Sequence, residues 1–335
     1  MRIIHINTIN QVANMYARGL EPLGYTSTIY QPNVVGGFAP RMAKLALMPW
    51  RLLDMLAASQ RLTRRNYDLA HIHWAAYGAM GLLGHIPYIV QCHGSDVRER
   101  MSSPLHRPLL SQIFRHASAV LCITPDLLNV VRPVYPAVRY MPGPIDTDQF
   151  APGPRPVGRP WTIFLFARLE PGKRVDIAMA GIERFIQRRT DVRVRLLDWG
   201  ELAAEYRQRY TGRYGDRIEF IHRVEPSKAQ FLLREADVVV GQFGVGALGL
   251  SELQAMSCAA PLIASFRYQD AYSSPPPLLN ASTPSEIDDR LERLYTVPQH
   301  RDYLGARARQ WVIEQHGVAA IASRLDALYR EVLQV

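Results

Sequence analysis

The segment FLFARLEPGKRVD, residues 164–176, places an apolar strand-like run directly before a turn that carries two cations. Pro171 and Gly172 turn the chain, and Arg168 and Lys173 flank them. In an open α/β sheet, ligands bind beyond the carboxyl ends of the strands. Arg offers a planar fork of donors and Lys a compact charge, so the pair suits a diphosphate better than a single carboxylate. The segment therefore predicts a strand that delivers two cations to an anion site.

The same order, a short apolar run followed by a longer amphipathic stretch, repeats along the chain. The runs are RIIHIN, STIYQP, LAHIHW, YIVQCH, AVLCIT, TIFLFA, VRLLDW, IEFIHR, DVVVGQF and PLIASF. This alternation indicates βα repetition and parallel sheets. A chain of 335 residues is long for one core, since domains average roughly 150 residues. The prolines and glycines of FAPGPRPVGRP, residues 150–160, mark a linker, and the segment from about 304 to 333 reads as an amphipathic helix.

Composition places the chain among ordinary globular proteins, with 48% hydrophobic and 21% charged residues. Its three cysteines, Cys92, Cys122 and Cys258, are odd in number and far apart, which argues against a disulfide framework or zinc site and indicates a reducing compartment. MRIIHIN reads as a buried strand, and no apolar run reaches the length of a membrane span. We therefore expect a cytoplasmic protein without a secretion signal.

The net charge of +9 indicates an anionic partner. Composition leaves this partner open among nucleic acid, a lipid surface and a phosphorylated small molecule. The loop GVGALGLSELQAM, residues 244–256, feeds a helix start, where backbone N–H groups and the helix dipole favour a phosphate. Gly244, Gly246 and Gly249 also spell G-x-G-x-x-G, but PLIASF does not end in the acidic residue that dinucleotide binding needs. We therefore favour a phosphate site over a dinucleotide site.

Two further polar clusters follow strand-like runs. HGSDVRE, residues 93–99, places His93, Ser95 and Asp96 at a tight turn after YIVQCH. We interpret this cluster as functional, although a helix cap is the alternative for His93. His71 and His73 share one face of a strand, and packing explains them better than metal binding because no third ligand is apparent.

Asp146 and Asp148 imitate a D-x-D metal motif. They lie in a proline-rich loop, however, so a turn is favoured there. No metal site is predicted.

The order of motifs along the chain resembles glycosyltransferase family 4, a family of retaining enzymes with the GT-B fold. The segments that carry the resemblance are HGSD, PGPIDTDQF, ARLEPGKRVD, LLDWGEL, EFIHRVEPSKAQFLLREADVVV and GALGLSELQAMSCAAPLIAS. The resemblance implies two Rossmann-like parallel-sheet domains that face a central cleft. Residues 1–150 would hold the acceptor, residues 151–315 the nucleotide sugar, and the helix 316–335 would pack back on the N-terminal domain.

The resemblance also implies the reaction and its residues. A sugar would pass from a UDP- or GDP-linked donor to a hydroxyl of a glycan, a lipid-linked acceptor or a small molecule, with retention and without a metal, a separate cofactor or nucleic acid. The implied catalytic residues are His93, Arg168 and Lys173. The implied donor-binding residues are Arg168, Lys173, Gly246, Ala247, Leu248, Gly249, Leu250 and Gln254. The implied substrate-binding residues are Asn10, Gln11, Ser95 and Asp96.

Two departures from the family pattern leave alternatives open. The family usually has two glutamates with seven residues between them, and the matching positions here are Gly246 and Gln254. Where many members carry paired glycines, this chain has INTINQVAN, residues 6–14. A sugar-nucleotide epimerase or dehydrogenase, and a catalytically silent binding protein, therefore remain alternatives to a transferase.

The stretch PRMAKLALMPWRLLDMLAASQRLTRR, residues 40–65, combines Trp50 and leucines with six basic residues. Basic amphipathic segments can lie on anionic membranes. A domain helix with solvated arginines explains the pattern equally well. A peripheral contact with the inner face of a membrane is thus an open expectation.

Overall fold

The computed structural model describes residues 1–32, 48–154, 158–222 and 225–335. Within them the strands are β1 (Arg2–Ile6), β2 (Thr26–Tyr30), β3 (Leu69–His73), β4 (Tyr88–Cys92), β5 (Ala119–Cys122), β6 (Arg139–Tyr140), β7 (Trp161–Leu165), β8 (Val192–Leu197), β9 (Ile218–Ile221), β10 (Val238–Val240), β11 (Leu262–Ala264) and β12 (Leu279–Asn280). Every strand-like run named above forms a strand. The sequence pattern missed β6 and β12, which are too short to show a period.

The α-helices alternate with these strands. They are α1 (Val12–Leu20), α2 (Met48–Arg61), α3 (Gly78–Leu83), α4 (Ser95–Arg98), α5 (Arg107–His116), α6 (Asp126–Val131), α7 (Val175–Ile186), α8 (Ala203–Tyr214), α9 (Pro226–Glu235), α10 (Leu250–Ser257), α11 (Pro284–Thr296), α12 (Pro298–His316) and α13 (Val318–Leu333). None of the helices in the described part of the chain has both the length and the apolar character to cross a membrane.

The chain divides into two compact units. The N-terminal unit comprises Met1–Pro144 and Val318–Val335, and the C-terminal unit comprises Ile145–Gly317. The chain thus changes unit at Pro144, just before the proline-rich segment where the boundary was expected. Helix α13 belongs to the unit that contains the N-terminus.

The N-terminal unit is built on a parallel sheet. Among the described strands, the order is β2-β1-β3-β4-β5-β6. One face buries side chains such as Ile4 and Val90. The other face buries Ile3 and Leu69 beneath helices α1 and α13, whose Tyr329 is completely buried. Because side chains of a strand alternate between faces, the two cores come from alternate residues of the same strands.

The C-terminal unit contains a second parallel sheet, with the described strands in the order β12-β11-β10-β7-β8-β9. Its two faces form separate cores, one around Ile163 and Val194 and the other around Phe164 and Val239. The prediction of parallel α/β sheets is therefore confirmed in both units. Strand β7 lies between β10 and β8, so the loops that follow these three strands emerge side by side at the carboxyl edge of this sheet.

Candidate active site

The loop after β7 carries both predicted cations. The side chain of Arg168 is 46% exposed and pairs with Glu170 at 3.0 Å. Its guanidinium carbon also lies 5.4 Å from the ring centre of Trp199, which follows the neighbouring strand β8. An ion pair this exposed contributes only about 0–1 kcal/mol. An arriving phosphate can therefore replace Glu170 as the partner of Arg168 at little cost in stability.

Lys173 is tied to the loop that follows the adjacent strand β10. Its Nζ donates to Oε1 of Gln242 at 3.0 Å, and its carbonyl accepts from the N–H of Phe243 at 3.0 Å. Gln242 in turn donates through Nε2 to the carbonyl of Ala247 at 3.1 Å. No motif in the sequence predicted a role for Gln242. Its one signal in the sequence is an amide that follows directly on the buried run VVVG.

The predicted glycine loop has identifiable steric reasons for its glycines. A Cβ at Gly244 would lie 2.0 Å from the carbonyl oxygen of Gly172, so these two loops touch through backbone alone. Gly246 has φ of +72°, a conformation that side chains disfavour. Arg267 follows β11. Its backbone N–H donates to the carbonyl of Gly246 at 2.9 Å, and its guanidinium donates to the carbonyl of Gly244 at 3.0 Å. Arg267 adds a third cation to this edge, which the sequence analysis did not single out.

Glu252, a second residue for which the sequence predicted no role, caps the N-terminus of α10. Its carboxylate accepts from the N–H of Gln242 at 3.1 Å and from the N–H of Gly249 at 3.0 Å. It is only 4% exposed. This geometry is a capping arrangement, in which the side chain satisfies backbone donors at the helix N-terminus. Glu252 thus holds the loop that supports Lys173 through Gln242.

The remaining predicted donor residues lie along the glycine loop and α10. Ala247 and Leu248 are only 2% exposed, and their contact with a donor stays a prediction. Leu250 packs against the core of the same unit. Gln254 is half-buried on α10, and its contact with a donor stays a prediction.

In the N-terminal unit, the loop after β4 is organised around Asp96. One carboxylate oxygen accepts from the N–H groups of His93 at 2.9 Å and Gly94 at 2.7 Å. The other accepts from the N–H of Ala75 at 2.9 Å. Asp96 is completely buried, which raises the pKa of its carboxyl above the usual value despite these bonds. Asp96 therefore shapes the turn that presents His93, whereas Ser95 is exposed. Contact of either residue with a substrate stays a prediction.

Histidines gather beside this loop on the face of the sheet that α1 and α13 cover. Nδ1 of His5 lies 3.2 Å from Nε2 of His73, and Nδ1 of His73 lies 3.3 Å from Nε2 of His93. The ring of His71 stacks on that of His73 with centroids 4.6 Å apart. His5 supplies the third imidazole that was not apparent beside His71 and His73. Residues 68 positions apart meet here through strand pairing, which local patterns do not reveal.

The three histidines His5, His71 and His73 have ligand atoms within 4.8 Å of one another, a grouping that suits a metal in geometry. All three are completely buried. Desolvation lowers the pKa of His5 to about 3 and holds those of His71 and His73 well below the usual value. The rings are therefore neutral at ordinary pH. Asp146, the other residue weighed for metal binding, accepts from the N–H of Gln149 at 3.0 Å, as in a turn.

The N-terminal loop that departs from the family pattern keeps a glycine-like backbone. Asn10 has φ of 49° and Gln11 φ of 62°, both in the left-handed region. Non-glycine residues adopt this region at a cost. Both side chains are exposed directly before α1. This loop thus holds two non-glycine residues in a backbone conformation that glycine adopts without strain.

Comparison with known proteins connects these features to a family. Residues 9–149 match the family model of Glycosyltransferase Family 4. The resemblance to this family is confirmed. Its model spans most of the N-terminal unit, including the Asn10 loop and the His93 loop. Comparison with curated protein sequences finds no match.

Solved structures match the whole chain. Sucrose-phosphate synthase from Thermosynechococcus elongatus is 18% identical, with 100% of both chains covered and a TM-score of 0.75. HepE from Anabaena, solved in complex with UDP-glucose, is 14% identical over 99% of this chain and 100% of its own, with a TM-score of 0.70. The GT-B fold is therefore shown, and the family match with this fold supports a glycosyltransferase of the GT-B kind.

A third match bears on the alternatives. A structure described as a UDP-N-acetylglucosamine 2-epimerase from Listeria monocytogenes is 13% identical over 99% of this chain and 96% of its own, with a TM-score of 0.64. Likeness of fold alone does not separate transfer from epimerisation. The distinction depends on the residues of the site.

Proposed function

We propose that this protein is a retaining glycosyltransferase that moves a sugar from a nucleoside-diphosphate sugar to a hydroxyl acceptor. The observation that carries the proposal is the cationic edge of the C-terminal sheet. Arg168 and Lys173 lie beside a glycine loop that leads into α10. Lys173 donates a hydrogen bond to Gln242, whose backbone N–H is in turn held by Glu252. Two cations beside backbone donors suit a diphosphate.

In the proposed reaction, the bond between the anomeric carbon and the diphosphate oxygen breaks as negative charge develops on the departing diphosphate. Arg168 and Lys173 stabilise that charge, which removes the need for a metal ion. The acceptor hydroxyl attacks the oxocarbenium-like sugar from the same face. Its proton passes to the departing diphosphate oxygen. The protein contributes position and electrostatic stabilisation rather than a covalent nucleophile.

His93 and Gln254 complete the proposed assignments. His93 lies in the family-matched part of the chain, in a turn shaped by a buried carboxylate, and we assign its imidazole to the sugar. Gln254 takes the ribose of the donor through its amide oxygen. Since Gly246 lacks a side chain, the sugar hydroxyls depend on backbone groups of the glycine loop.

The donor is the first unknown to resolve. HepE was solved with UDP-glucose, so UDP-sugars are the first donors to test, followed by GDP-sugars. A ligand at 100 times its dissociation constant stabilises a protein by about 2.7 kcal/mol. Thermal unfolding with each sugar nucleotide therefore identifies the base and sugar before any acceptor is known.

The likeness to a structure described as an epimerase gives a second candidate function, sugar-nucleotide epimerisation. Incubation of a labelled sugar nucleotide with and without hydroxyl acceptors separates the candidates. Transfer releases free nucleoside diphosphate and labels the acceptor, with the anomeric configuration of the donor retained. An epimerised donor without any acceptor would support the second candidate. Binding without turnover under both conditions would indicate a silent binding protein.

A further inference from the structure

We propose that His5 and His73 are positioning residues that hold His93 in a single tautomer, with its proton on Nδ1. The catalytic part of this inference rests on the proposed role of His93 in sugar transfer. The tautomer itself does not depend on that role. Three observations carry it: the hydrogen bonds that join the three rings, the burial of His5 and His73, and a buried nitrogen of His5 with no partner in the described part of the chain.

The series of hydrogen-bonded histidines spans three neighbouring strands of the N-terminal sheet. His5 lies on β1 and His73 ends β3, while His93 directly follows β4. Strand pairing sets His5 opposite His71 and His73 opposite Gln91, so these side chains share one face. The two contacts, at 3.2 Å and 3.3 Å, each join Nδ1 of one ring to Nε2 of the next. The rings therefore form a head-to-tail series that ends at Nε2 of His93.

Each ring in the series is neutral. Desolvation lowers the pKa of His5 and of His93 to about 3, and that of His73 falls well below its usual value. A neutral imidazole has one N–H donor and one acceptor nitrogen. Since His73 uses both nitrogens within the series, its bonds to His5 and His93 must run in the same direction. The series thus has only two possible polarities.

The surroundings of His5, at the far end of the series from His93, favour one of the two directions of hydrogen bonding. Nε2 of His5 is buried and has no hydrogen-bond partner among the residues that the structure describes. If the series ran from His93 towards His5, that nitrogen would carry a buried N–H without an acceptor, and unpaired buried donors are the rarer defect in native structures. In the opposite polarity His5 donates to His73, and His73 donates from Nδ1 to Nε2 of His93. His93 then keeps its proton on Nδ1, the nitrogen that remains for a substrate.

A metal ion would compete for the same nitrogens, but the surroundings oppose it. Among the described residues, the candidate metal group consists of His5, His71 and His73 without a carboxylate. All three are completely buried. Transfer of even a monovalent ion into such a medium costs on the order of 20 kcal/mol before compensation. Neutral rings that bond to each other avoid this cost.

The tautomer can be measured directly on the full chain labelled with ¹⁵N-histidine. In each ring, protonated and unprotonated nitrogens give well-separated ¹⁵N signals, and loss of signals in His93→Gln assigns those of His93. We expect His93 to be protonated on Nδ1 in the wild type. Wild-type protonation on Nε2 would overturn the inference without any further variant. Bound metal found by elemental analysis of the purified protein would also overturn it, because a metal consumes the acceptor nitrogens.

Variants of His73, the middle ring of the series, test whether its hydrogen bond fixes the tautomer of His93. His73→Phe removes the donor, so His93 should shift towards the Nε2 tautomer that histidine prefers in water. His73→Asn places an amide N–H near the former Nδ1 and should restore the wild-type tautomer. His71→Phe is the matched control, since His71 is equally buried and stacks on His73 but bonds to Tyr329 at 2.6 Å instead of joining the series. An unchanged tautomer in folded His73→Phe would overturn the proposal.

Turnover tests the catalytic part separately. Loss of one preorganised hydrogen-bond donor costs on the order of 100- to 1000-fold in rate. Since His73→Phe misplaces the Nδ1 proton of His93 without removing the ring, we expect it to lower kcat about 10-fold or more, with little change in donor KM and with recovery in His73→Asn. A changed tautomer with unchanged kcat would overturn this catalytic part. If the wild type transfers no sugar to any acceptor, the proposed function fails while the ¹⁵N spectra still decide the tautomer.

Discussion

Lys173 is the residue on which the proposed chemistry most depends. If it stabilises the departing diphosphate, its loss should lower the rate as well as donor affinity. Removal of one preorganised donor costs on the order of 100- to 1000-fold in rate, and we expect Lys173→Ala to fall in that range. Arg168→Ala should have a smaller effect, because Arg168 already shares its charge with Glu170. Single-turnover transfer at saturating donor measures both.

Arg174 is the control for these two cations. It follows Lys173 directly but points its charge to Asp176 at 3.0 Å, and it is half exposed. Its φ of 50° lies in the left-handed region, which glycine adopts without strain. Arg174→Ala should therefore leave turnover almost unchanged. Wild-type rates in both Lys173→Ala and Arg168→Ala would contradict the proposed diphosphate site.

Gln254 tests the departure from the glutamate pair of the family. Gln254→Ala should weaken donor binding, whereas Gln254→Glu should preserve or improve it. A carboxylate can accept from both ribose hydroxyls, while the amide has one acceptor oxygen. Calorimetric titration with the donor gives the affinities. Equal affinity of wild type and Gln254→Ala would remove this residue from the site.

Gln11 carries backbone strain that glycine would relieve. A left-handed conformation costs a non-glycine residue about 1–2 kcal/mol, and the greater freedom of unfolded glycine offsets about 0.5–1 kcal/mol of the gain. Gln11→Gly should therefore stabilise the protein by about 0.5 kcal/mol. Gln11→Ala keeps the Cβ and controls for loss of the side chain. Urea unfolding of the two variants measures the difference, and an Ala variant as stable as the Gly variant would contradict the strain.

Helix α2 exposes several large apolar side chains in the described part of the N-terminal unit. Trp50 is 66% exposed and Leu53 58% exposed. Arg61, Arg64 and Arg65 are exposed at and beyond the end of the helix. Residues 40–47 of the stretch weighed for membrane contact, with Arg41 and Lys44, lie outside the described residues. The described part keeps apolar and basic side chains side by side in solvent, as on a membrane-surface helix.

We therefore expect α2 to bind anionic bilayers. Cations near such a surface contribute about 1 kcal/mol each. Vesicles with anionic lipid should sediment more protein than neutral vesicles at low salt, and Leu53→Asp should reduce this binding. Phe231→Asp, at a residue 55% exposed in the C-terminal unit, is the control and should not. Equal capture by anionic and neutral vesicles would contradict membrane docking.

Acid should weaken the two units to different degrees. The pKa values of buried His5 and of partly exposed His93 are lowered to about 3, and those of buried His71 and His73 are also lowered. The unfolded chain therefore binds protons below its ordinary histidine pKa of about 6.5 while the folded unit does not. Stability is fully present above that pH and is lost as the pH falls towards about 3.

Each such histidine lowers the free energy of unfolding by up to about 1.4 kcal/mol per pH unit in this window. Hydrogen exchange at pH 7.5 and 5.5, corrected for intrinsic rates, measures the loss element by element. Peptides from β1 and β3 should lose more protection than peptides from β7 and β10. Equal losses in both units would contradict the role of the buried histidines.

Local pattern was enough to predict much of the molecule. The apolar runs fall on strands because a buried parallel strand needs only a short β-branched segment, which is visible in the sequence. The cations Arg168 and Lys173 could be placed at a strand end for the same reason. Glu252 and Asp96 show the limit. Both are buried carboxylates that bond to backbone N–H groups, and only the path of the backbone reveals which groups those are.

The amino-acid order alone therefore determined which elements form and which side chains follow each strand, since both depend on a few neighbouring residues. The tertiary structure decided which of those side chains meet. Lys173 and Gln242 are 69 positions apart, and His5 and His73 are 68 apart. Such pairs form because β7 lies beside β10 and β1 beside β3. Strand order is set by packing over the whole sheet, a property that no single segment carries.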